Sequence, residues 1–289
     1  MKNIMITGGS GFIGRNLTEQ LAGSYQVFSP RHAELDLLDW RAVAAYIKKN
    51  KIQAIVHSAV HSPVNDMQAY FNDMQMFINL EKISGDVEKI LYFGSGAEYD
   101  KRRDIRMVKE VQIGEEIPNS QYGFAKYTMN ELAKTSHNIY NLRLFGVFGK
   151  YESWERRFIS NICCKAIMNL PLTIRKDCCF DYLYVNDLSR IVSWFIENKP
   201  LFHDYNVCQG KEYLLSELAN IVLQISGKRL PVILLSNEKN FDYSADNGRI
   251  CTEIKDLELT PMNEAVRTLY DYYLDNINLI DKKVLMESR

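Results

Sequence analysis

Tyr122 stands four residues before Lys126 in the run NSQYGFAKY. On a helix, a spacing of four puts both side chains on one face. A phenol ordinarily titrates near about pH 10, and an ammonium beside it favours its ionised form. Such a pair can hand a proton to an oxygen that is gaining charge. Alone it decides nothing, because ordinary helical surfaces also carry an aromatic and a charge at this spacing. Two further features bear on it. Ser95 closes the apolar part of LYFGSGAEY, which places it at the carboxyl end of an expected strand, where a parallel sheet binds its ligands. Near the start of the chain, Thr7-Gly8-Gly9-Ser10-Gly11-Phe12-Ile13-Gly14 sets glycines at 8, 11 and 14 between an expected strand and an expected helix.

That glycine run suits a dinucleotide. The loop must turn tightly, let a pyrophosphate approach the backbone and aim the N–H groups of a helix N-terminus at it. Gly8, Ser10, Gly11, Phe12, Ile13 and Gly14 are the expected contacts. A carboxylate after the second strand would hold the ribose 2′-hydroxyl of NAD. The sequence there reads Ser29-Pro30-Arg31-His32. Arg31, with Ser29 and Arg15, can instead meet a 2′-phosphate, so NADP is the expected cofactor and NAD the alternative.

The elements that must position these residues follow from hydrophobic periodicity. Near-continuous apolar runs at 2–7, 25–29, 53–60, 89–96 and 140–149 read as strands, and helical spacing links them at 13–21 and 39–50. Buried runs alternating with helices predict an α/β fold, a doubly wound parallel sheet of Rossmann type covered on both faces. After Gly149 the pattern reads as a helix within 151–171, strands at 172–174, 180–185, 205–209 and 231–236, and helices over 186–198, 214–227 and 262–275. The expected division is a dinucleotide-binding domain over 1–150, to which 179–204 returns. A smaller α/β substrate lobe is formed by 151–178 and 205–289.

Composition limits the partners. Of 289 residues, 46% are hydrophobic and 25% charged, with a formal net charge of −1. Nothing basic calls for nucleic acid or a membrane surface, and no apolar run is long enough to span a bilayer. The N-terminus passes straight into a strand with no signal-peptide pattern, so a cytoplasmic protein is expected. Six cysteines, two pairs of them adjacent and none spaced C-x-x-C, read as reduced structural thiols rather than metal ligands.

The TGGSGFIG loop, Ser95 and Tyr122-x-x-x-Lys126, in this order, resemble the extended short-chain dehydrogenase/reductase family in its nucleotide-sugar branch. LRLFGVFGK, FDYLYVNDL and ELDLLD are nearest in pattern to GDP-fucose synthase-like 4-ketosugar reductases and epimerases. The resemblance implies Tyr122 as proton donor, Ser95 as the group orienting a carbonyl, and Lys126 as a hold on the nicotinamide ribose. It also implies cofactor contacts at Ser58 and Ala59, and an adenine contact at Asp36-Leu37 beyond a third strand. His57, where relatives commonly carry histidine, is open between packing and catalysis.

The departures from the family pattern narrow the reaction. The acids that 4,6-dehydratases carry after the serine are Gly96 and Ala97 here, with Glu98 displaced by one, which argues against dehydration. The cysteine and histidine with which GDP-fucose synthase epimerises correspond to Ala97 and Arg157. A family asparagine is Gly146, and a diphosphate-gripping arginine is Phe180. Substrate contacts are therefore sought at Ala97, Glu98, Arg157 and Arg249, with Arg143, Arg156 and Arg175 as further anchors. The expected activity is reduction of a 4-keto sugar nucleotide, for deoxy-sugar or surface-polysaccharide synthesis. A C4 epimerase with bound NAD is the alternative, and a non-catalytic dinucleotide-binding protein the rival of another class. Relatives dimerise through two helices, here 62–84 and 122–137, so a homodimer is expected.

Overall fold

The computed structural model describes residues 1–61 and 67–287. The first half runs β1 (Asn3–Thr7), α1 (Phe12–Leu21), β2 (Gln26–Phe28), α2 (Trp40–Asn50), β3 (Ala54–His57), α3 (Met67–Lys82), β4 (Lys89–Ser95), β5 (Ile105–Val108), α4 (Gln121–Thr135), β6 (Ile139–Leu144) and β7 (Gly146–Phe148). Next come α5 (Phe158–Ile167), β8 (Leu172–Ile174), β9 (Cys179–Phe180), β10 (Tyr182–Tyr184), α6 (Val185–Glu197) and β11 (Asp204–Val207). The chain ends with β12 (Tyr213–Leu214), α7 (Leu215–Ser226), β13 (Val232–Leu234), β14 (Tyr243–Ala245), α8 (Gly248–Glu253), α9 (Met262–Asp275) and α10 (Lys282–Glu287).

Six parallel strands in the order β2-β1-β3-β4-β6-β11 form the main sheet. Successive residues of a strand point to opposite faces, and both faces here are covered. Ile4, Ile6, Leu91 and Phe93 pack with α1 and α6, while Met5, Ile90 and Tyr92 pack with α2, α3 and α4. This double burial is why the strands read as unbroken apolar runs; each fully buried aliphatic side chain contributes about 1.5–3 kcal/mol. The strand order reverses direction between β1 and β3, and the carboxyl ends there make the crevice in which such sheets bind ligands.

The second lobe is threaded through the first. β5 leaves the first half to join β12-β9-β14-β5, and β13 pairs with β8. The run 140–149 is two strands, because β6 stays in the main sheet while β7 pairs with β10. Sequence periodicity starts the second lobe at 205, whereas 204–207 form the edge strand of the main sheet beside β6. The ELDLLD segment, expected to follow a third strand, lies on turns between β2 and α2. Residues 62–66, the start of the helix expected at 62–84, lie outside the described residues. Among the described residues no helix is long and apolar enough to cross a membrane.

Candidate active site

The glycine loop is a backbone surface pressed against the end of β3. Gly8 has φ +70°, and a Cβ on it would lie 2.7 Å from the Ala59 backbone. A Cβ on Gly14 would lie 2.3 Å from the Gly8 carbonyl oxygen. The Gly11 amide donates to that carbonyl at 2.9 Å and closes the turn. Gly11 is the N-cap of α1, and no side chain caps this helix end, so its first amides remain for an anion. Ser10 is exposed, Phe12 and Ile13 half-buried.

Threonine and serine side chains tie the loop down. Ser58 Oγ donates to the Thr7 carbonyl at 2.6 Å, and the Ala59 amide donates to Thr7 Oγ1 at 3.3 Å. Thr7 Oγ1 also lies 2.8 Å from His57 Nδ1. Burial, then the charge of Lys126, lowers the His57 imidazole to about 3. His57 is therefore neutral at working pH, its ring tied to Thr7 on the neighbouring strand.

Beyond β2 the Arg31 side chain is exposed, and its amide donates to Glu34 at 2.8 Å. Ser29 Oγ donates to the Ile6 carbonyl at 3.2 Å, and Arg15 stacks 3.6 Å over the Tyr151 ring beside Glu19. Of the three residues considered for a 2′-phosphate, Arg31 keeps its cation in solvent. Asp36 accepts from the Leu38 amide at 2.9 Å, and the Leu37 carbonyl accepts from Asn79 at 2.9 Å.

Ser95 is the last residue of β4 and the N-cap of a 3₁₀ turn at 96–98. Ser120 caps α4 by accepting from the Gly123 amide at 3.1 Å. A Cβ on Gly123 would lie 2.4 Å from the Ala97 carbonyl oxygen, so α4 rests directly on the turn that carries Ser95. From this helix Lys126 reaches inward and donates to the Phe93 carbonyl at 3.0 Å, its Nζ 6.0 Å from the Tyr122 ring centre. Tyr122 is half-buried, 6.1 Å from the ring of Tyr70. Ser95, Tyr122 and Lys126 thus converge at the carboxyl end of β4.

The residues sought for substrate divide. Glu98 is fully buried and faces inward. Its Oε1 accepts from the Ser95 amide at 2.9 Å, and its Oε2 meets Arg143 Nε at 2.6 Å. The cause is the 3₁₀ turn, which folds Glu98 back over its own cap where an extended strand would point it away. Arg143, also fully buried, further binds Asp204, Asn206 and Asn130 at 3.0–3.1 Å. Arg249 binds Asp204 Oδ1 at 2.8 Å and lies over the Phe202 ring. Glu98, Arg143 and Arg249 are therefore parts of an internal ion network. Ala97 is buried against α4, and Arg157 is exposed at the start of α5. Arg156 and Arg175 line a cleft of about 400 Å³ in the second lobe, with Phe158, Asn161 and Thr173.

Two departures from the family pattern have steric counterparts. A Cβ on Gly146 would lie 2.6 Å from both the Asp181 carbonyl and the Tyr182 ring, so an asparagine would need that ring to move. Phe180 stacks on Tyr182 at 5.3 Å and packs on Tyr243 at 5.2 Å. Sequence reasoning missed Tyr243 of β14, whose hydroxyl would lie 2.4 Å from a Cβ on Gly96, and Lys101, whose Nζ lies 4.3 Å over the Tyr243 ring. The two meet through the pairing of β14 with β5, distant in sequence, and no local spacing marks them.

A glycine cradle at the switch point of a doubly wound sheet, with serine, tyrosine and lysine at the next strand end, defines a Rossmann-type dinucleotide-binding chain. Residues 4–208 match the NAD dependent epimerase/dehydratase family, and the chain belongs to it. Among its relatives is the GDP-L-colitose synthase of Yersinia pseudotuberculosis, 25% identical over 78% of this chain and 82% of that protein. The GDP-L-fucose synthase of Azorhizobium caulinodans is 28% identical over 94% and 96%. A solved GDP-L-fucose synthetase of Naegleria fowleri bound to NADP shares the fold at a TM-score of 0.82, with 15% identity over 96% of this chain and 94% of that one.

Proposed function

We propose that the protein reduces a 4-keto sugar nucleotide with NADPH, Tyr122 being the proton donor. The observation that carries this reading is the convergence of Ser95, Tyr122 and Lys126 beside the glycine cradle. The cradle fits a dinucleotide: with no Cβ at Gly8 and Gly14 the loop packs tightly on Ala59 and on α1, and the N-terminus of α1 is uncapped. Gly8, Ser10, Gly11, Phe12, Ile13 and Gly14 would hold the pyrophosphate, with Ser58 and Ala59 beside it. Arg31 would hold the 2′-phosphate, in keeping with the NADP of the Naegleria protein. Bound there, the reduced nicotinamide would be the source of a hydride for the carbonyl carbon. Ser95 donates a hydrogen bond to the carbonyl oxygen, and Tyr122 gives that oxygen its proton as charge develops on it. The Tyr122 oxygen then regains a proton from solvent. Ketone, NADPH and one proton become alcohol and NADP⁺.

The absence of side-chain acids at Gly96 and Ala97, with Glu98 turned inward, supports plain reduction over elimination. The names of the two sequence relatives support a GDP-linked sugar, and the Arg156–Arg175 cleft offers cations for its diphosphate. The cofactor would lie on the main sheet and the sugar nucleotide against the second lobe. A homodimer would form through α3 and α4, where Met67, Phe71, Ile78, Phe124 and Leu132 are exposed. The test is to identify any dinucleotide released on denaturation, then follow NADPH consumption with a GDP-linked 4-keto-6-deoxyhexose. An empty site that prefers NADPH and consumes it with the ketosugar supports the reductase. Stoichiometric NAD retained through purification, with C4 inversion and no net consumption, would replace it with the epimerase.

A further inference from the structure

Ser95 is held at both its main chain and its side chain. Its amide donates to Glu98 Oε1 at 2.9 Å, and its Oγ accepts from the Ala97 amide at 3.1 Å. Glu98 is held in turn by β6: Asn141 Nδ2 donates to its Oε2 at 3.0 Å, and Arg143 Nε donates to it at 2.6 Å. Gly94 is the steric condition for this approach. A Cβ there would lie 2.1 Å from Asn141 Oδ1 and 2.2 Å from Glu98 Oε1. The same two β6 side chains meet at one further acceptor, Asn130 Oδ1, reached by Asn141 Nδ2 at 2.8 Å and by Arg143 Nη2 at 3.1 Å. Asn130 is completely buried on α4. It stands four residues beyond Lys126, as Lys126 stands four beyond Tyr122, so each shares a helix face with the next.

We propose that Asn130 is a positioning residue for the reduction: through Arg143, Asn141 and Glu98 it locks α4 to the Ser95 turn, and so fixes the Tyr122 hydroxyl relative to the Ser95 hydroxyl. This rests on the reductase reading above, in which one carbonyl oxygen must meet both hydroxyls. Near its start α4 is attached by Gly123, which lies against the Ala97 carbonyl, and by Lys126, which donates to the Phe93 carbonyl. Asn130 is the attachment beyond them, and without it the helix can pivot about its first turns. A misplacement of about 1 Å at a reacting group costs about 10²-fold in rate. Among the described residues no buried side-chain nitrogen or oxygen of this network lacks a partner, and a filled network of this kind holds one arrangement.

The experiment compares Asn130→Leu, which keeps the volume and removes the acceptor, with Asn130→Asp, which keeps an acceptor oxygen in place. Both are assayed with NADPH and a GDP-linked 4-keto-6-deoxyhexose. In Asn130→Leu, kcat should fall roughly 10- to 100-fold, with KM and NADPH affinity within about threefold of wild type. Asn130→Asp should recover kcat to within about threefold of wild type. A near-normal kcat in Asn130→Leu, or a loss that Asn130→Asp does not restore, would overturn the proposal. A second measurement needs no turnover. In Asn130→Leu, hydrogen exchange at the Ser95 and Ala97 amides should speed up roughly 3- to 10-fold, the worth of one hydrogen bond, while exchange in β1 stays at the wild-type rate. Unchanged exchange in the turn, or an equal acceleration in β1, would show that Asn130 does not hold the turn and would overturn the proposal. Wild-type protein that consumes no NADPH with the ketosugar would count against the reductase reading, and the exchange rates would still decide the lock between α4 and the turn.

Discussion

Replacing Arg143 by methionine removes a guanidinium that is completely buried at the carboxyl end of the main sheet. Four acceptors lose a partner: Glu98 at 2.6 Å, Asp204 at 3.0 Å, and Asn206 and Asn130 at 3.1 Å. Asp204 keeps a cation, because Arg249 remains 2.8 Å away. Glu98 keeps only neutral donors, the Ser95 amide at 2.9 Å and Asn141 Nδ2 at 3.0 Å. One buried carboxylate is thus left without a counter-charge, a loss of about 3–5 kcal/mol. Adding Glu98→Gln removes the orphaned charge and leaves about 1–3 kcal/mol for an unpaired amide hydrogen. Urea unfolding at pH 7, with midpoints compared at unchanged slope, should find the double variant more stable than Arg143→Met alone. An Arg143→Met loss under about 1 kcal/mol, or a double variant at the sum of the singles, would refute the argument.

Further predictions concern pH, cofactor and assembly. Burial raises the Glu152 carboxyl from 4.5 to about 8, with Ser160 as its hydrogen-bond partner. The folded chain then holds a proton that the unfolded chain releases, so stability is full below pH 4.5 and is lost as pH rises toward 8; the whole loss is at most roughly 5 kcal/mol. Glu152→Gln should flatten the fall of Tm between about pH 6 and 8, and an unchanged slope would place the proton elsewhere. Arg31→Ala should weaken NADPH binding about 10- to 100-fold, as expected for a charged hydrogen bond to phosphate, and leave NADH binding within about twofold by calorimetry. Phe71→Arg with Phe124→Arg, which puts charges on the exposed faces of α3 and α4, should give monomers in light scattering, and the wild type should give the proposed dimers.

What the sequence disclosed was local in character. The glycine loop is legible because its steric demands fall within one strand–turn–helix unit. The Tyr122–Lys126 pair is legible because a spacing of four has a meaning on a helix. The sheet strands are legible because burial on two faces makes their apolar runs continuous. The misread arginines have partners distant in the chain. Arg143 and Arg249 looked like candidates for a diphosphate, yet their carboxylates come from Glu98 and Asp204, joined only by folding. Glu98 turned inward because Ser95 caps a 3₁₀ turn that no hydrophobic period announces. Tyr243 reaches the Gly96 turn only because β14, three residues long, pairs with strands from both halves.

The central claim is that Tyr122 delivers the proton. It is tested most directly by Tyr122→Phe, measured for NADPH affinity and for single-turnover oxidation of bound NADPH by the GDP-linked ketosugar. The structure places Tyr122 on α4 above the Ser95 turn, with Lys126 held separately by the Phe93 carbonyl. Cofactor affinity should therefore stay within about threefold of wild type while turnover falls roughly 10²–10⁴-fold, the worth of one acid–base group. Near-normal turnover with intact NADPH binding would contradict the account.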